Sequence, residues 1–168
     1  MYNDAPKKIT SIFRNRVRSL LPRKEIREAA RGFVNEVLHR DFLGSHIRTW
    51  SSVYQAHNEP RRQDHFKPSE WVKLITERSN SVSSKTYIAT DNSKAIQPLF
   101  QNKIKNIYYR NDLEKWIKKK GLKFDVDQFA FVEILVLSYS KELCASLKST
   151  FGELAWYYNV NPVDVYVI

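Results

Sequence analysis

Cysteine, histidine and glycine are scarce in this sequence, and each shortage excludes a class of protein. Cys144 is the only cysteine among 168 residues, so the chain can form neither an internal disulfide nor a cysteine-based zinc site. Its four histidines contain no helical H-x-x-x-H pair, and no metal cofactor is therefore expected. Four glycines and six prolines are too few for a protein dominated by loops.

Long apolar runs are also missing. No stretch approaches the roughly 18–20 apolar residues of a membrane-spanning helix, and residues 1–8, MYNDAPKK, lack the apolar segment of a signal peptide. We therefore expect a cytoplasmic location by default. Hydrophobic residues make up 42% of the chain, which is enough to build a core in one domain of ordinary size.

Positive charge, by contrast, is abundant. The net charge of +10 favours an anionic partner: a nucleic acid, a phosphate-bearing ligand or an acidic membrane surface. Basic residues are densest between Lys7 and Arg40, where ten of them occur. The sequence has no zinc-finger pattern, no RNP-like aromatic strand and no G-x-x-G clamp loop, which disfavours nucleic acid. A basic nucleic-acid-binding protein and a non-catalytic adaptor stay as alternatives.

Apolar spacing predicts the order of the secondary structure. Helical spacing over 9–20 and 26–37, interrupted by Pro22, predicts two basic helices whose charged faces meet solvent. Strands are predicted at 42–48, 85–90, 104–109, 142–146 and 163–168. The helices between them are predicted at 69–78, 95–100, 112–120, 127–140 and 150–158. This alternation predicts an α/β fold, with a Rossmann-like parallel sheet flanked by helices at 41–168 and a linking or packing region at 1–40.

Short polar residues are expected to cap these helices, since their side chains accept hydrogen bonds from the first helical N–H groups. We expect the caps to be Ser69, Asp112, either Asp125 or Asp127, and the pair Ser149-Thr150. A polar, irregular loop with Asn58, Arg61, Arg62 and His65 is expected at 50–67.

Polar residues also gather where the predicted strands end. His46 and Arg48 close the first strand, where alternation puts them on the same side, and Asp91 follows the second. Ligands of parallel sheets bind beyond the carboxyl ends of the strands, and the arginine fork suits phosphate oxygens. The alternatives are a surface arginine with a hydrogen-bonded histidine, and an Asp91 that caps the next helix.

Glu133 and the start of the last helix are the other candidate positions. Glu133 lies in an apolar helix and needs a partner: either a base edge with two adjacent donors, as in guanine, or a lysine or arginine. The last helix begins with Ser149, Thr150 and Phe151. Its N–H groups and hydroxyls can cradle a phosphate, or they form an ordinary N-cap. Cys144 is expected to be packed rather than reactive.

Three segments in this order resemble a known family: HIR at 46–48, YIATDNSKA at 87–95 and FVEILVLSYSKELCASLKSTFGELAWYY at 131–158. They resemble the C-terminal domain of the GDP-fucose-dependent fucosyltransferases. The branch is the one with core α-1,6-fucosyltransferases, the bacterial nodulation fucosyltransferase and protein O-fucosyltransferases. The resemblance spans about 33–158. It implies one half of a GT-B-type glycosyltransferase that binds GDP-fucose, or a related nucleotide sugar, without a required metal or other cofactor.

The resemblance also implies roles for single residues. Arg48 would bind the β-phosphate and be the catalytic group that stabilises the leaving GDP, with His46 supporting it or contacting the nucleotide. Asp91 would occupy the family's acidic position after its strand, and Glu133 would read guanine. The phosphate and sugar side would be lined by Ser149, Thr150 and Phe151.

The sequence departs from the family at several points. Thr49-Trp50 follow H-x-R where the family often has another arginine or an acidic residue, and Lys148 stands where a small hydroxyl residue is common. The 45 residues before His46 look like linking helices rather than the family's N-terminal domain, which contributes to the acceptor side. We therefore expect an incomplete enzyme with little or no transferase activity alone. It would need an acceptor domain or partner subunit, and its acceptor would be a glycan or a protein.

Overall fold

The computed structural model describes residues 6–50, 66–82, 85–160 and 163–168. Most of the loop expected at 50–67, with its residues Asn58, Arg61, Arg62 and His65, lies outside the described residues.

The centre of the molecule is a five-stranded sheet with the order β3-β2-β1-β4-β5. All four strand pairs are parallel. The strands are β1 (Leu43–Ile47), β2 (Thr86–Thr90), β3 (Ile107–Tyr109), β4 (Glu142–Ala145) and β5 (Asp164–Val167). This confirms the predicted α/β class and its parallel sheet; β3 is shorter than the pattern over 104–109 indicated.

Seven α-helices connect or flank the strands of the described chain. They are α1 (Lys7–Ser19), α2 (Lys24–Phe33), α3 (Pro68–Val82), α4 (Ser93–Phe100), α5 (Arg110–Lys119), α6 (Val126–Ser138) and α7 (Thr150–Tyr158). A π-helical segment, Val34–Leu38, extends α2. None of the helices in residues 6–50, 66–82, 85–160 and 163–168 is long and apolar enough to cross a bilayer.

Successive residues of the strands point into two separate hydrophobic cores, one on each face of the sheet. On one face, Tyr87, Leu143 and Ala145 pack with side chains from α2, α5, α6 and α7. On the other, Leu43, Ile47, Ile88 and Cys144 pack with α3 and α4. Helices therefore cover both faces of the sheet, as predicted for a parallel sheet. Within the described residues, a ligand can reach the sheet only at the ends of its strands.

Gly44 in β1 allows the end of α6 to lie directly on the sheet. A Cβ at this position would come within 2.8 Å of both the Cβ and the Oγ of Ser140, and within 3.3 Å of Leu137. No larger residue fits without moving α6 away from β1. The glycine thus sets the spacing between the sheet and the helix that carries Glu133.

The helix starts differ from the predicted caps in two places. α3 begins at Pro68, which lies within the first helical turn because its missing N–H needs no partner, so Ser69 is not the cap. α5 begins at Arg110 after Tyr109, and the carboxylate of Asp112 accepts a hydrogen bond from the Tyr109 N–H at 2.9 Å. Asp112 therefore closes a capping box from inside the helix and is not the N-cap itself.

Two other caps decide between alternatives that the sequence left open. Asp125 Oδ1 accepts a hydrogen bond from the Gln128 N–H at 2.8 Å, so Asp125 rather than Asp127 caps α6. Asn92 Oδ1 accepts from the Ala95 N–H at 3.1 Å and caps α4. Asp91 is consequently not the cap of α4, and its carboxylate is available for other contacts.

In α1, two of the basic side chains face the protein and several apolar side chains face solvent. The Arg14 guanidinium donates to the Asn159 carbonyl at 2.6 Å and Arg18 Nε donates to the Tyr157 carbonyl at 3.2 Å. These carbonyls lie at the end of α7, where they lack helical partners and attract cations. The basic edge of α1 therefore packs on the protein, and its apolar residues Ile12 and Phe13 are 54% and 56% exposed. The prediction that the charged face of α1 meets solvent therefore holds for Lys8 and Arg16 and fails for Arg14 and Arg18.

Candidate functional site

The carboxyl ends of β1, β2 and β4 meet at one edge of the sheet. In the register of these strands, His46 is paired with Ala89 and Ala145, and Ile47 with Thr90. The polar residues that follow each strand are therefore brought side by side. We call four of them the edge group: Arg48, Thr49, Asp91 and Ser146.

Asp91 holds the chain that leaves β1. Its Oδ1 accepts hydrogen bonds from the Thr49 N–H at 2.8 Å and from Thr49 Oγ1 at 3.0 Å. Its Oδ2 lies 3.4 Å from Nε of Arg48. The carboxylate thus binds a backbone group, a hydroxyl and a guanidinium at once, which fixes the direction of the Arg48 side chain.

Arg48 is anchored but not enclosed. Its side chain keeps 32% of its exposed area, compared with 13% for Asp91. The guanidinium carbon lies 5.3 Å from the centroid of the Trp50 ring, within the range of a cation–π contact. Trp50 has a φ of 55°, unusual for a bulky residue, and this turn keeps its ring beside Arg48. A positive charge held in this way suits an anionic ligand arriving at the sheet edge.

Ser146 joins the end of β1 to the end of β4. Its Oγ accepts a hydrogen bond from the Arg48 N–H at 2.8 Å. Its own N–H donates to the His46 carbonyl at 3.0 Å, and its carbonyl accepts from the Ser149 N–H at 3.3 Å. These bonds set the position of α7, which starts four residues later, relative to Arg48.

His46 is buried behind the edge group. It is 3% exposed, and its ring stacks on Phe151 with 4.7 Å between centroids and 20° between planes. Its Nδ1 shares a hydrogen bond of 3.3 Å with Ser149 Oγ. Burial, and secondarily the charge of Arg48, lower the pKa of His46 to about 3. The imidazole is therefore neutral at physiological pH, and it positions α7 rather than supplying a charge.

The start of α7 faces the same edge. Ser149 occupies the N-cap position, but its side chain makes no capping hydrogen bond, and its Oγ is used for His46 instead. Thr150, the first helical residue, and Lys148 are exposed. A helix start offers N–H donors and a partial positive charge. The Ser149 side chain therefore does not act as an ordinary N-cap.

Glu133 lies in a different place and has different partners. It is 5% exposed, and its carboxylate accepts hydrogen bonds from the Tyr87 hydroxyl at 3.0 Å and from Arg110 Nη1 at 3.4 Å. Burial raises the pKa of Glu133 to about 7, and the opposing effects of Arg110 and Tyr87 do not outweigh it. We call Tyr87, Arg110 and Glu133 the interior group. Of the two partners predicted for Glu133, a base edge or a lysine or arginine, the structure has an arginine, Arg110. The second partner, Tyr87, was not predicted from the sequence.

The structure therefore brings most of the predicted site residues together and adds others. His46, Arg48, Asp91, Ser149 and Phe151 are linked through direct contacts or through Ser146. Thr49 and Ser146 are the residues that sequence reasoning missed as site components. Their signal was a hydroxyl residue close after a strand end: Thr49 follows β1 by two residues, and Ser146 directly follows β4.

Possible metal ligands and the cysteine are the other side chains with reactive chemistry. Within residues 6–50, 66–82, 85–160 and 163–168, no three histidine, cysteine, aspartate or glutamate side chains are grouped to hold a metal ion. Cys144 is fully buried, and burial raises the pKa of its thiol to about 12. The prediction that Cys144 is packed is confirmed.

Comparison with known proteins shows which solved structures have a similar architecture. Neither a protein family nor a curated protein matches the sequence. Similar solved structures include POFUT1 in complex with GDP, with a TM-score of 0.62 and 12% identity over 98% of this chain and 52% of that one. POFUT1 in complex with GDP-fucose has a TM-score of 0.62 and 12% identity over 98% and 51%. NodZ alpha-1,6-fucosyltransferase soaked with GDP-fucose has a TM-score of 0.51 and 16% identity over 81% and 42%.

These similarities define the class of fold. The chain has a Rossmann-type, fucosyltransferase-like fold with an all-parallel sheet. It spans about half the length of the solved structures it matches.

Proposed function

We propose that this chain is the donor domain of a fucosyltransferase-like glycosyltransferase of the GT-B type, corresponding to the C-terminal domain of that family. Its ligand is GDP-fucose or a related nucleotide sugar. The observation that carries the proposal is Arg48, held by Asp91 at the carboxyl edge of the sheet beside the start of α7. The similar structures solved with GDP and GDP-fucose support the same ligand class.

In this proposal Arg48 is the catalytic residue. Its contact with Asp91 uses Nε, so Nη1 and Nη2 are the donors that meet the diphosphate. When the bond between the sugar carbon and the phosphate oxygen breaks, negative charge develops on the departing nucleoside diphosphate. A fixed guanidinium and oriented N–H groups stabilise that charge without reorganising, which lowers the barrier.

The start of α7 supplies the second half of the proposed phosphate site. Ser149, Thr150 and Phe151 line it, with the N–H groups of the helix start directed at the anion. Neutral His46 holds the Phe151 ring and Ser149 Oγ in place. Asp91 is a positioning residue, because it acts on the ligand through Arg48 and Thr49.

The base-reading role of Glu133 stays a prediction that rests on the resemblance. Its carboxylate is engaged by Tyr87 and Arg110. To read guanine, Glu133 would have to exchange one of these partners for the base. The base site and the diphosphate site are therefore tested separately.

We propose that an acceptor domain or a partner subunit supplies the acceptor side. The chain spans about half of the similar structures, and we propose residues 1–40 as a linking or packing region before the donor domain at 41–168. An acceptor domain or partner subunit then brings the hydroxyl of a glycan or protein. The isolated chain is expected to bind the donor and to transfer little or no sugar.

The deciding experiment is isothermal titration of the purified chain with GDP, ADP and GDP-fucose, beside Arg48→Ala and the exposed control Arg40→Ala. We expect selective binding of GDP and GDP-fucose. Arg48→Ala should weaken it about thirtyfold or more, because truncating one partner of a charge-assisted contact costs about 2–5 kcal/mol. Arg40→Ala should bind like the wild type, and the thermal transition of each variant should stay close to that of the wild type.

Other results would overturn the proposal in distinct ways. Unchanged GDP affinity in Arg48→Ala would remove the role assigned to Arg48. Absence of binding to all three nucleotides would favour a non-catalytic adaptor. Binding to nucleic acid with a steep salt dependence that is insensitive to Arg48 would favour the basic nucleic-acid-binding alternative.

A further inference from the structure

Exposed apolar side chains are concentrated at the first helix. Of the eight large hydrophobic side chains that are exposed in the described residues, five lie between 9 and 21. They are Ile9, Ile12, Phe13, Leu20 and Leu21, with exposed fractions between 48% and 69%. The other three, Val126, Leu147 and Val160, are far apart in sequence and belong to other elements. Single exposed hydrophobics are ordinary, whereas a group on one helix marks a surface that binds something.

The same surface is basic. Side chains three and four residues apart are neighbours on a helix, so Lys8, Ile12 and Arg16 form one row and Ile9 and Phe13 form the next. Lys8 and Arg16 are exposed. We call these five residues the α1 face. Residues 5–24 contain no acidic side chain and seven basic ones: Lys7, Lys8, Arg14, Arg16, Arg18, Arg23 and Lys24.

The outward direction of the α1 face is set by contacts on the other edge of the helix. Arg14 and Arg18 bind backbone carbonyls of Tyr157 and Asn159. The Tyr158 hydroxyl also donates to the Leu20 carbonyl at 2.8 Å. The helix cannot turn its apolar side inward without breaking these bonds, so the exposure of Ile9 and Ile12 is built into the packing.

We propose that the α1 face binds an anionic phospholipid surface, with α1 lying in the plane of the interface. The side chains of Ile9 and Ile12 then enter the boundary of the acyl chains, while Lys8 and Arg16 meet the negative headgroups. The Phe13 ring stacks on Tyr157 and contributes its exposed part at the rim of this surface. A nucleic acid would use the positive charge but leave the apolar residues in water. A second copy of this chain, with its net charge of +10, would oppose like charges across the contact.

The α1 face and the candidate site lie at opposite ends of α7. The contacts of α1 are with residues 157–159, whereas the edge group is next to Ser149. Nine helical residues span about 13 Å at 1.5 Å per residue. The α1 face is therefore separate from the candidate site, and the proposal does not depend on the ligand of that site.

The test is co-sedimentation of the full chain with vesicles of phosphatidylcholine alone and of phosphatidylcholine with phosphatidylglycerol, at low and high salt. The wild type should bind only the anionic vesicles, less at high salt. Ile12→Glu and Arg16→Glu should each weaken binding about tenfold or more. The matched control is Val126→Glu, since Val126 is 70% exposed on α6, and it should bind like the wild type.

The thermal transition of each variant shows whether it is folded. If Arg16→Glu does not fold, Arg16→Ala takes its place. Failure of the wild type to bind anionic vesicles would overturn the proposal. So would binding that neither Ile12→Glu nor Arg16→Glu weakens. Two further outcomes reject it: a dimer of the wild type that Ile12→Glu dissociates without vesicle binding, and nucleic-acid binding lost in Arg16→Glu without vesicle binding.

Discussion

The edge group and the interior group use similar side chains but differ in their hydrogen-bond partners and in the burial of the carboxylate. Each contains an arginine, a carboxylate and a hydroxyl. At the edge, Asp91 and Ser146 also bind backbone N–H groups of Thr49 and Arg48, and Arg48 keeps 32% of its side-chain exposure. In the interior, the contacts of Glu133 are with the side chains of Tyr87 and Arg110. The Glu133 side chain is 6% exposed, compared with 13% for Asp91, whereas Arg110 at 38% is about as exposed as Arg48.

This difference separates ligand chemistry from fold stability. The carboxylate and the serine hydroxyl of the edge group bind backbone N–H groups at the strand ends, so the group is held in place where a ligand can reach it. The interior group is coupled to the packing of α6 on the sheet, where an ionised carboxylate is expensive. Changes at the edge should therefore alter binding, and changes in the interior should alter stability and its dependence on pH.

The largest expected effect is on the stability of the interior group, tested with Glu133→Gln. Because the folded-state pKa of Glu133 is raised to about 7, the folded state holds this proton more tightly than the unfolded state. The free energy of unfolding should therefore be higher at low pH and fall as pH rises from about 4.5 to 7, relative to the variant. The difference is on the order of 3 kcal/mol, at about 1.4 kcal/mol per pKa unit.

Urea unfolding of the two proteins between pH 4 and 8 measures this difference. Glu114→Gln is the matched control, since Glu114 also contacts Arg110, at 2.9 Å, but its side chain is 49% exposed. Parallel pH curves for the wild type and Glu133→Gln would contradict the prediction. Titration of Glu133→Gln with GDP and ADP tests base reading as well: an unchanged preference for GDP removes that role from Glu133.

The intermediate effect is expected at Asp91, where two substitutions divide its functions. Asp91→Asn keeps an oxygen for Thr49 but removes the charge that orients Arg48, so GDP affinity should fall about fivefold with stability within about 1 kcal/mol. Asp91→Ala also removes the oxygen that accepts two hydrogen bonds from the buried Thr49 and should cost about 1–3 kcal/mol more. Titration and urea unfolding measure both. Equal destabilisation by the two variants would mean that charge, not the hydrogen bonds to Thr49, holds the end of β1.

The smallest effect is expected from Ser149→Ala. The Ser149 side chain makes no capping hydrogen bond, but Ser149→Ala removes the 3.3 Å hydrogen bond to the buried His46 ring. The loss of stability should therefore be about 1 kcal/mol. Asp125→Ala removes a true cap and should cost about 1 kcal/mol. Weaker GDP binding by folded Ser149→Ala supports the phosphate role, and an unchanged GDP affinity would remove that role from Ser149.

Much of the fold could be predicted because apolar periodicity reports burial directly. Alternating strand and helix patterns gave a parallel sheet covered on both faces, and polar residues after the strands marked its carboxyl edge. The helix starts were less predictable. Ser69 and Asp112 have the chemistry of caps, but Pro68 and the capping box at Tyr109 moved both starts. Several residues near a helix start can cap it, and only the local backbone path chooses among them.

The two N-terminal helices show the limit of the pattern most clearly. Residues 9–20 and 26–37 have the same helical spacing of apolar residues. In α2 the stripe with Ala30 and Phe33 is buried in the core. In α1, Ile9 and Ile12 are exposed, and the hydrogen bonds to α7 are made by the arginines Arg14 and Arg18. Amphipathic spacing shows that a helix has an apolar side, but it does not show which side meets the protein.

The sequence by itself determined the elements, the parallel sheet and the polar residues that follow its strands, because these depend on side chains that are close along the chain. Only the tertiary structure decided which polar groups meet. Glu133 pairs with Tyr87, 46 positions away, and Arg48 with Ser146, 98 positions away. Such pairs form because strand register and helix packing bring distant segments within hydrogen-bonding distance, and no local pattern in the chain records that geometry.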